Sequence, residues 1–219
     1  GNGRQGNTGD GGPAIEASFH TISDITPDRE GNIYIADSIN RNIRKVNLQG
    51  VISTIAEKSL EDLGTEVHPN GVVVDKLGNI FFSDSGGSKL YKIDRDGVIT
   101  TIAGTGDFND SGDGGLALNA GLRSPGGLAI GPDEALYIAE QTTHRIRKID
   151  SNGIITSYVG NGIFGYAGDG GPAVKANIKN PFRMKFDKVG NLYFSDRDNN
   201  RIRKVDVNGV ITTIAGHSN

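Results

Sequence analysis

The sequence predicts an all-β protein built from four tandem four-stranded repeats, and three observations support this fold class. A seven-residue segment that closes with an acid occurs four times along the chain. Each copy is followed by a basic strand, a glycine-containing turn and a further apolar strand. Glycine accounts for 33 of the 219 residues without a collagen-like period, which is typical of a chain with many tight turns.

The seven-residue segment is the predicted second strand of each repeat. Its copies occupy residues 31–37, 78–84, 134–140 and 190–196, and the first copy reads Gly-Asn-Ile-Tyr-Ile-Ala-Asp. A short apolar stretch before each copy supplies the first strand. These stretches are residues 71–75, 127–130 and 183–187, with residues 22–26 as the poorest match.

The basic strand and the closing strand complete each repeat. The basic strands are residues 43–46, 90–93, 146–149 and 202–205. Turns between the two strands are Gln49-Gly50, Asp96-Gly97, Asn152-Gly153 and Asn208-Gly209. Asn-Gly and Asp-Gly pairs favour the positive φ angles of tight hairpins, so all four strands of a repeat are expected to pair in sequence order.

The spacing of the repeats indicates the architecture. The residues that close the last strands are 47 or 56 residues apart, and they are Glu57, Gly104, Gly160 and Gly216. Four-stranded repeats of this length are the signature of β-propeller blades. The prediction is therefore a single propeller domain over residues 1–219, with blades at approximately 17–56, 69–103, 125–159 and 181–215.

Long linkers join the blades and carry a repeat of their own. Gly-Asp-Gly-Gly occurs at residues 9–12, 112–115 and 168–171, and the shorter linker at 57–69 lacks it. Each copy offers a single Asp among glycines, whereas calcium takes about six to eight oxygen ligands. We therefore expect a tight turn leading into a helix-like stretch such as residues 172–176, and no metal site.

The combined pattern resembles the NHL repeat over essentially the whole chain. The matching runs are Gly-Asn-(Ile/Leu)-Tyr, Arg-Ile-Arg-Lys and Gly-Val-Ile-Thr-Thr-Ile-Ala-Gly. The linkers resemble those of secreted and cell-surface NHL proteins, including teneurins and bacterial repeat proteins. This resemblance implies an extracellular or cell-surface location and a binding propeller. NHL propellers usually have more than four blades, so these blades either close alone, belong to a longer parent, or are completed by another copy.

Composition argues against several classes of partner. The net charge is −3, and acids outnumber bases by 26 to 23, so no nucleic-acid partner is expected. The basic strands are instead predicted to pack their long stems between blades and to pair with nearby Asp. No apolar stretch of about 18 residues occurs, so membrane insertion is not expected. Cysteine is absent, which excludes disulfides, thiolate metal sites and a cysteine nucleophile.

Catalytic signals are weak. The four histidines, His20, His68, His144 and His217, supply no three-histidine set at one repeat position. A central zinc of the kind that some NHL-type lyases hold is therefore not expected, nor is any cofactor or catalytic residue. The acids that end the second strands are expected to accept hydrogen bonds from backbone N–H groups of the following turn. They are Asp37, Asp84, Glu140 and Asp196.

The candidate binding residues lie where the repeat is broken. The first strands and the linkers before them should meet at the channel mouth, and loops of this kind commonly carry function. The residues that differ there from blade to blade are His68, Arg123, Lys179, Asn180, Phe182 and Arg183. We expect a non-catalytic scaffold that binds a protein or a carbohydrate. The alternatives are a lyase or hydrolase with its site at this mouth, and a structural repeat that self-associates.

Overall fold

A computed structural model describes residues 1–55 and 67–216. Within these residues, the strands form four antiparallel sheets of four strands, each in sequence order. Each sheet is one propeller blade, which confirms the predicted all-β propeller fold class. The helical elements of the described ranges are short 3₁₀ turns, at Ala14–Glu16, Ala117–Asn119, Ala173–Lys175 and Arg197–Asn199.

The strands follow the predicted order. Blade 1 contains β1 (Ile22–Pro27), β2 (Ile33–Asp37), β3 (Asn42–Val46) and β4 (Ile52–Ile55). Blade 2 contains β5 (Pro69–Val74), β6 (Ile80–Asp84), β7 (Lys89–Ile93) and β8 (Ile99–Ala103). Blade 3 contains β9 (Pro125–Ile130), β10 (Leu136–Glu140), β11 (Arg145–Ile149) and β12 (Ile155–Val159). Blade 4 contains β13 (Pro181–Phe186), β14 (Leu192–Asp196), β15 (Arg201–Val205) and β16 (Ile211–Ala215).

The chain divides into two compact units. The first, Gly1–Ile102, holds blades 1 and 2 apart from the last residue of β8, and the second, Ala103–Asn219, holds blades 3 and 4. A single domain over residues 1–219 stays a prediction. The predicted end of blade 1 at Ala56, most of the 57–69 linker and His217 lie outside the described residues.

Each unit has an apolar core between its two blades. In the first unit, Tyr34, Ala36 and Ile43 of blade 1 share a cluster with residues of blade 2 such as Val72 and Phe82. In the second unit the equivalent cluster joins Tyr137, Ala139 and Ile146 to residues of blade 4, among them Met184 and Phe194. Burying a side chain of this size contributes roughly 1.5–3 kcal/mol relative to leaving it exposed.

The tight turns between the third and fourth strands form as predicted. Gly50, Gly97, Gly153 and Gly209 have φ angles between 74° and 80°. A residue with a Cβ is strained in this region, whereas glycine is not. The repeated glycine therefore fixes the hairpin that closes each blade.

In three of the blades, a buried arginine of the third strand pairs with the linker that precedes the blade. Arg44, Arg147 and Arg203 have almost no solvent exposure. They pair with the Asp of the Gly-Asp-Gly-Gly element at 2.6 Å (Asp10), 2.7 Å (Asp113) and 2.7 Å (Asp169). The predicted pairing of these basic strands with Asp is therefore confirmed.

The other oxygen of each linker Asp binds the outer strand of the same blade. It accepts the backbone N–H of Thr54, Ser157 or Thr213 at 2.8–3.1 Å. Burial acts to raise the pKa of Asp169, but hydrogen bonds from Thr213 and Tyr166 and the charge of Arg203 hold that pKa below its usual range. The Gly-Asp-Gly-Gly carboxylate is thus a structural clamp.

The acids at the ends of the second strands are buried acceptors, as predicted, but their main donors differ from the prediction. Backbone N–H groups come from residues that lead into the first strand of the same blade, namely His20, His68, Arg123 and Lys179. In the following turn, a backbone N–H to such an acid is seen at Gly86 of blade 2. The acid therefore ties the end of one strand to the start of its neighbour.

Candidate functional site

One end of each blade collects the linker, the start of the first strand and the turn after the second strand. In blade 4, Pro181 at the start of β13 pairs with Asp196 at the end of β14. Asn199 of the turn after β14 donates its Nδ2 to the carbonyl of Gly165 in the linker at 2.7 Å. All six residues selected from the sequence lie at this end of a blade, but they do not all lie in the same unit.

Blade 4 brings four of the selected residues together. Its first strand and the residues before it carry Lys179, Asn180, Phe182 and Arg183. The Nδ2 of Asn180 lies 3.3 Å from both carboxylate oxygens of Asp198. The backbone N–H of Asp198 in turn donates to the carbonyl of Lys179 at 3.2 Å. These bonds hold the segment before β13 against the turn that follows β14.

The ring of Phe182 is the centre of a cation–π cluster. The guanidinium of Arg183 lies 4.2 Å from its centroid and that of Arg197 lies 5.3 Å away. A planar guanidinium over an aromatic face is attracted by the ring quadrupole, by about 0.5–1 kcal/mol at an exposed site. The cluster therefore places two positive charges against one aromatic ring.

Blade 3 contributes Arg123 to the same unit. Its guanidinium lies 4.7 Å from the centroid of Phe108, a linker residue that is 55% exposed. Blade 3 also lies close to Phe182, because a Cβ on Gly127 would come within 2.1 Å of the Phe182 carbonyl oxygen. Only glycine allows β9 and β13 to approach in this way.

His144 connects the two blades. Its Nδ1 accepts the backbone N–H of Asn180 at 3.3 Å, and its ring meets Phe164 edge-on at 6.0 Å. Burial lowers the pKa of His144; Lys179 lowers it further, and Asp198 opposes them. The imidazole is therefore neutral at physiological pH and can act as the acceptor that this contact needs.

Two polar atoms at the site have unmet hydrogen-bonding capacity. Asn180 Oδ1 and Arg123 Nε are buried atoms with no hydrogen-bond partner within residues 1–55 and 67–216. Buried polar atoms of this kind are rare, and each calls for a water molecule or a ligand group. Asn180 Oδ1 is an acceptor and Arg123 Nε is a donor, and a buried water molecule at each atom would satisfy it.

We name the surface formed by six residues of the second unit the aromatic–arginine surface. It comprises Phe108, Arg123, Phe164, Phe182, Arg183 and Arg197. Sequence reasoning missed Phe108, Phe164 and Arg197. Phe108 and Phe164 each precede the linker Asp of their blade by five residues, and this shared offset was the signal that could have found the two rings. Arg197 carried no signal, because its contact with Phe182 depends on side-chain packing.

His68 lies in the first unit, at the equivalent end of blade 2. Its backbone N–H donates to Asp84 at 3.1 Å. All four blades make the equivalent bond, which joins the end of the second strand to the segment before the first strand. A binding role for the His68 side chain stays a prediction.

Glu140 is the site's buried carboxyl group. It lies at the end of β10, accepts the backbone N–H of Arg123 at 3.3 Å and contacts the Thr143 hydroxyl at 3.2 Å. Burial raises its pKa to about 7, although the charge of Arg147 opposes the shift. Because the side chain has no solvent exposure, it can steady the start of β9 but cannot reach a bound molecule.

Comparison with known proteins identifies the family. The family description Teneurin NHL domain matches residues 105–166 and 164–219, which together exceed half of the chain. The chain belongs to the teneurin NHL domain family. The predicted resemblance to NHL repeats, teneurins included, is thereby confirmed.

The curated relatives are much longer than this NHL chain. Teneurin-1 of Gallus gallus is 35% identical over 103 residues, which cover 41% of the chain and 4% of that protein. Teneurin-1 of Mus musculus is 27% identical over 240 residues, covering 93% and 9% respectively. Teneurin-m of Drosophila melanogaster is 45% identical over 56 residues, covering 26% and 2%. The chain thus spans less than a tenth of these relatives.

Solved structures share the fold at low sequence identity. An auxiliary nutrient binding protein from Bacteroides ovatus has a TM-score of 0.65 at 17% identity, over 91% of this chain and 50% of that one. A structure described as a putative gluconolactonase has a TM-score of 0.64 at 16% identity, over 91% of this chain and 64% of that one. Virginiamycin B lyase from Staphylococcus aureus has a TM-score of 0.59 at 20% identity, over 87% of this chain and 54% of that one. At these identities the likeness shows the fold and not the function.

In the part of the chain that the structure describes, no helix has the length and hydropathy of a membrane span. Within the same residues, no group of three or more His, Asp or Glu side chains is arranged to hold a metal ion.

Proposed function

We propose that this NHL chain is a non-catalytic binding module whose partner docks on the aromatic–arginine surface. The observation that carries the proposal is the exposure of Phe108 and Phe164, at 55% and 66%, beside arginines stacked on Phe108 and Phe182. Aromatic residues and arginine are enriched in protein interfaces and dominate their binding energy. Such side chains gain more from being covered by a partner than from staying in water.

The chemistry of the surface favours a protein partner with an acidic patch. Arg123, Arg183 and Arg197 bring positive charge next to the rings, and Lys179 adds a further cation. Opposite charge on a partner speeds association and sets its orientation. A carbohydrate partner is the alternative that the same rings and guanidinium groups would serve.

An extracellular or cell-surface location belongs to the same proposal. It is supported by the similarity to teneurins, which are cell-surface proteins. His68 is proposed as a separate contact, because it lies in blade 2 of the first unit. An enzymatic role, suggested by lyase and lactonase neighbours, rests on the fold alone.

Self-association, or completion by further blades of a longer parent, is a second candidate function that one observation favours. Ile25 of blade 1 is 57% exposed, whereas Val72, at the equivalent position of blade 2, is 1% exposed. Ile202 of blade 4 is 38% exposed, whereas the equivalent Ile146 of blade 3 is fully buried. Side chains that the repeat normally buries against a neighbouring blade favour docking of another blade. Light scattering on a sizing column would detect a mass above 23.1 kDa if copies associate.

The binding proposal is tested by a panel of extracellular protein domains and glycans presented to the purified chain. A Phe182→Ala/Arg197→Ala variant removes the cation–π cluster without touching the buried clamp residues. We expect specific partners of the wild-type chain to lose at least tenfold in affinity with this variant. A Val207→Ala variant, altered at an exposed apolar residue of a distant turn in blade 4, should bind as the wild type does.

Equal binding of every protein partner by the wild type and the double variant would overturn the proposed surface. If the double variant still converts a panel molecule to product as the wild type does, that result would favour an enzyme with its site elsewhere. Thermal unfolding of each variant shows whether a loss of binding reflects a loss of folding.

A further inference from the structure

The junction of blades 1 and 2, within the first unit, contains a cleft of about 330 Å³. Three turns surround it: the β1–β2 turn of blade 1 and the β5–β6 and β7–β8 turns of blade 2. Tyr34, Ile55 and Ile80 form its apolar part. This blade 1–2 cleft is separate from the aromatic–arginine surface, all of whose residues belong to the second unit.

The cleft arises from small residues at positions that carry rings in the second unit. There, Tyr137 packs edge-on against Tyr158 at 4.9 Å and against Phe186 at 4.7 Å. In blades 1 and 2, Ile55 and Val74 occupy the positions of Tyr158 and Phe186. The opening is therefore a property of this junction's own side chains and is not imposed by the repeat.

The turns at the rim differ in the same way. In the second unit, Pro132 and Val207 both lie 3.4 Å from where a Cβ on Gly190 would stand. Their equivalents in the first unit are Arg29 and Arg95, which both line the cleft. Apolar contact at one junction is replaced by charged groups at the other.

Acidic groups of the cleft are held rigidly by the turns. Asp28 accepts the backbone N–H groups of Glu30 and Asn32, each at 2.9 Å. Asp75 and Asp94 make the equivalent bonds in their own turns. Burial acts to raise the pKa of Asp28, but hydrogen bonds from Asn32, Glu30 and Tyr34 hold it below the usual range. Asp28 is therefore charged at neutral pH. Asp75, Asp94 and Glu30 add three more acidic side chains to the wall.

Basic groups balance the acids in number. Arg29, Lys45, Lys76 and Arg95 line the same cleft. The Lys45 ammonium lies over the Tyr34 ring, 5.4 Å from its centroid. The equivalent Lys148 lies over Tyr137 in the same way, at 5.7 Å, but is also paired with Asp133 at 2.5 Å. Arg95 donates its Nε to the carbonyl of Leu77, which leaves its terminal nitrogens for other acceptors.

We propose that the blade 1–2 cleft binds a neutral carbohydrate unit, a mono- or disaccharide. A sugar hydroxyl donates to a carboxylate and accepts from an ammonium or guanidinium group, so it uses both kinds of wall residue. An anionic ligand would meet the Asp28, Asp75 and Asp94 charges, and a cationic ligand would meet Lys45 and Arg95. The volume lies at the lower end of the range of small-molecule sites, about 300–1,000 Å³.

Ligand-observed NMR with a saccharide panel tests the proposal on the full chain. The probes are glucose, galactose, N-acetylglucosamine, maltose and lactose, with glucuronate and glutamate as charged comparisons. We expect at least one neutral saccharide to bind more tightly than either charged probe. An Ile55→Tyr variant, which introduces the ring found at residue 158, should weaken that binding at least tenfold.

Matched controls separate the cleft from general effects on folding. Ile214→Tyr makes the same change at the equivalent, half-exposed position of blade 4 and should leave binding unchanged. Lys45→Gln should weaken binding at least tenfold, on the order of one lost charge-assisted hydrogen bond, whereas Lys148→Gln should not. If Ile55→Tyr unfolds the chain, the two lysine variants still decide the question.

Three outcomes would overturn the proposal: no neutral saccharide binds at millimolar concentration, Lys45→Gln and Lys148→Gln bind equally, or glucuronate or glutamate binds more tightly than the neutral sugars. None of these outcomes bears on the aromatic–arginine surface, so the two proposals fail independently.

Discussion

The junction of blades 1 and 2 and the junction of blades 3 and 4 are built from the same repeat but are completed differently. At the second junction, Arg203 is buried between Asp169 of the linker and Asp196 of β14, at 2.7 and 3.1 Å. At the first, Tyr91 occupies the position of that arginine and stacks on Phe82 at 5.2 Å. The linker before blade 2 lacks the Gly-Asp-Gly-Gly element that would supply the Asp. The clamp and its carboxylate are therefore present together or absent together.

The same contrast extends to the outer part of each junction. Rings fill the junction of blades 3 and 4 around Tyr137, whereas aliphatic residues leave a cleft beside Tyr34. The difference teaches that the strands and turns of the repeat set the backbone, while a few side chains decide whether a junction is sealed or open. Function is to be sought where those side chains depart from the repeat.

The largest expected effect comes from breaking the Arg203 clamp of blade 4, whose place in blade 2 is taken by Tyr91. Arg203→Met leaves Asp169 and the buried Asp196 without their cation, so we expect the free energy of unfolding to fall by about 3–5 kcal/mol. Tyr91→Met, the matched change at the first junction, removes the ring that stacks on Phe82 and should cost about half as much. Urea denaturation of the two variants measures both values. Equal losses would contradict the assigned role of the arginine.

A pH-dependent effect distinguishes the junctions next, because blade 3 carries Glu140 where blade 1 carries Asp37. The pKa of Glu140 is raised from 4.5 to about 7 by burial, so its protonated form is the one the fold favours. This contribution to stability is fully present below pH about 4.5 and is lost as pH rises through about 7. As pH rises through this range, the free energy of unfolding of the wild type should fall by on the order of 3 kcal/mol relative to that of Glu140→Gln.

Denaturant unfolding at pH values from 4.5 to 8 checks the expectation. The difference in stability between the wild type and Glu140→Gln should grow with pH and level off above the folded-state pKa. A difference that does not change with pH would show that Glu140 stays ionised in the folded protein.

The smallest expected effect tests whether the rings around Tyr137 close the junction of blades 3 and 4. Tyr158→Ile installs the residue that blade 1 carries and removes the edge-on contact with Tyr137. We expect a loss of about 1–2 kcal/mol, since the side chain is only partly buried. Thermal unfolding measures the loss, with Ile214→Ala on the exposed side of blade 4 as a control that should change little. A Tyr158→Ile variant as stable as the wild type would mean that the rings do not seal the junction.

Much of the fold could be predicted from the sequence, because the information is local and repeated. Glycines such as Gly50 and Gly153 fix hairpin turns without reference to the rest of the chain. The pairing of Arg44 with Asp10 could also be predicted, since the basic strand and the linker Asp recur with the same period.

The candidate site could be predicted only in part. Departures from the repeat selected Phe182 and Arg183, and the structure places these residues in a cation–π cluster. Their companion Arg197 comes from a neighbouring turn, and its contact depends on side-chain directions that no sequence period encodes. The blade 1–2 cleft was not predicted, because it depends on the size of Ile55 against that of Tyr158 at one place in the packed structure.

Amide hydrogen exchange of the chain, alone and with the tightest-binding protein of the extracellular panel, tests the central claim most directly. The account predicts slower exchange on binding in residues 105–111, 161–166, 179–184 and 197–201, which carry the aromatic–arginine surface. Exchange in the blade 1 and blade 2 strands should stay the same. Protection confined to other segments, or unchanged exchange at 179–184 with a partner bound, would contradict the assignment of this surface as the binding site.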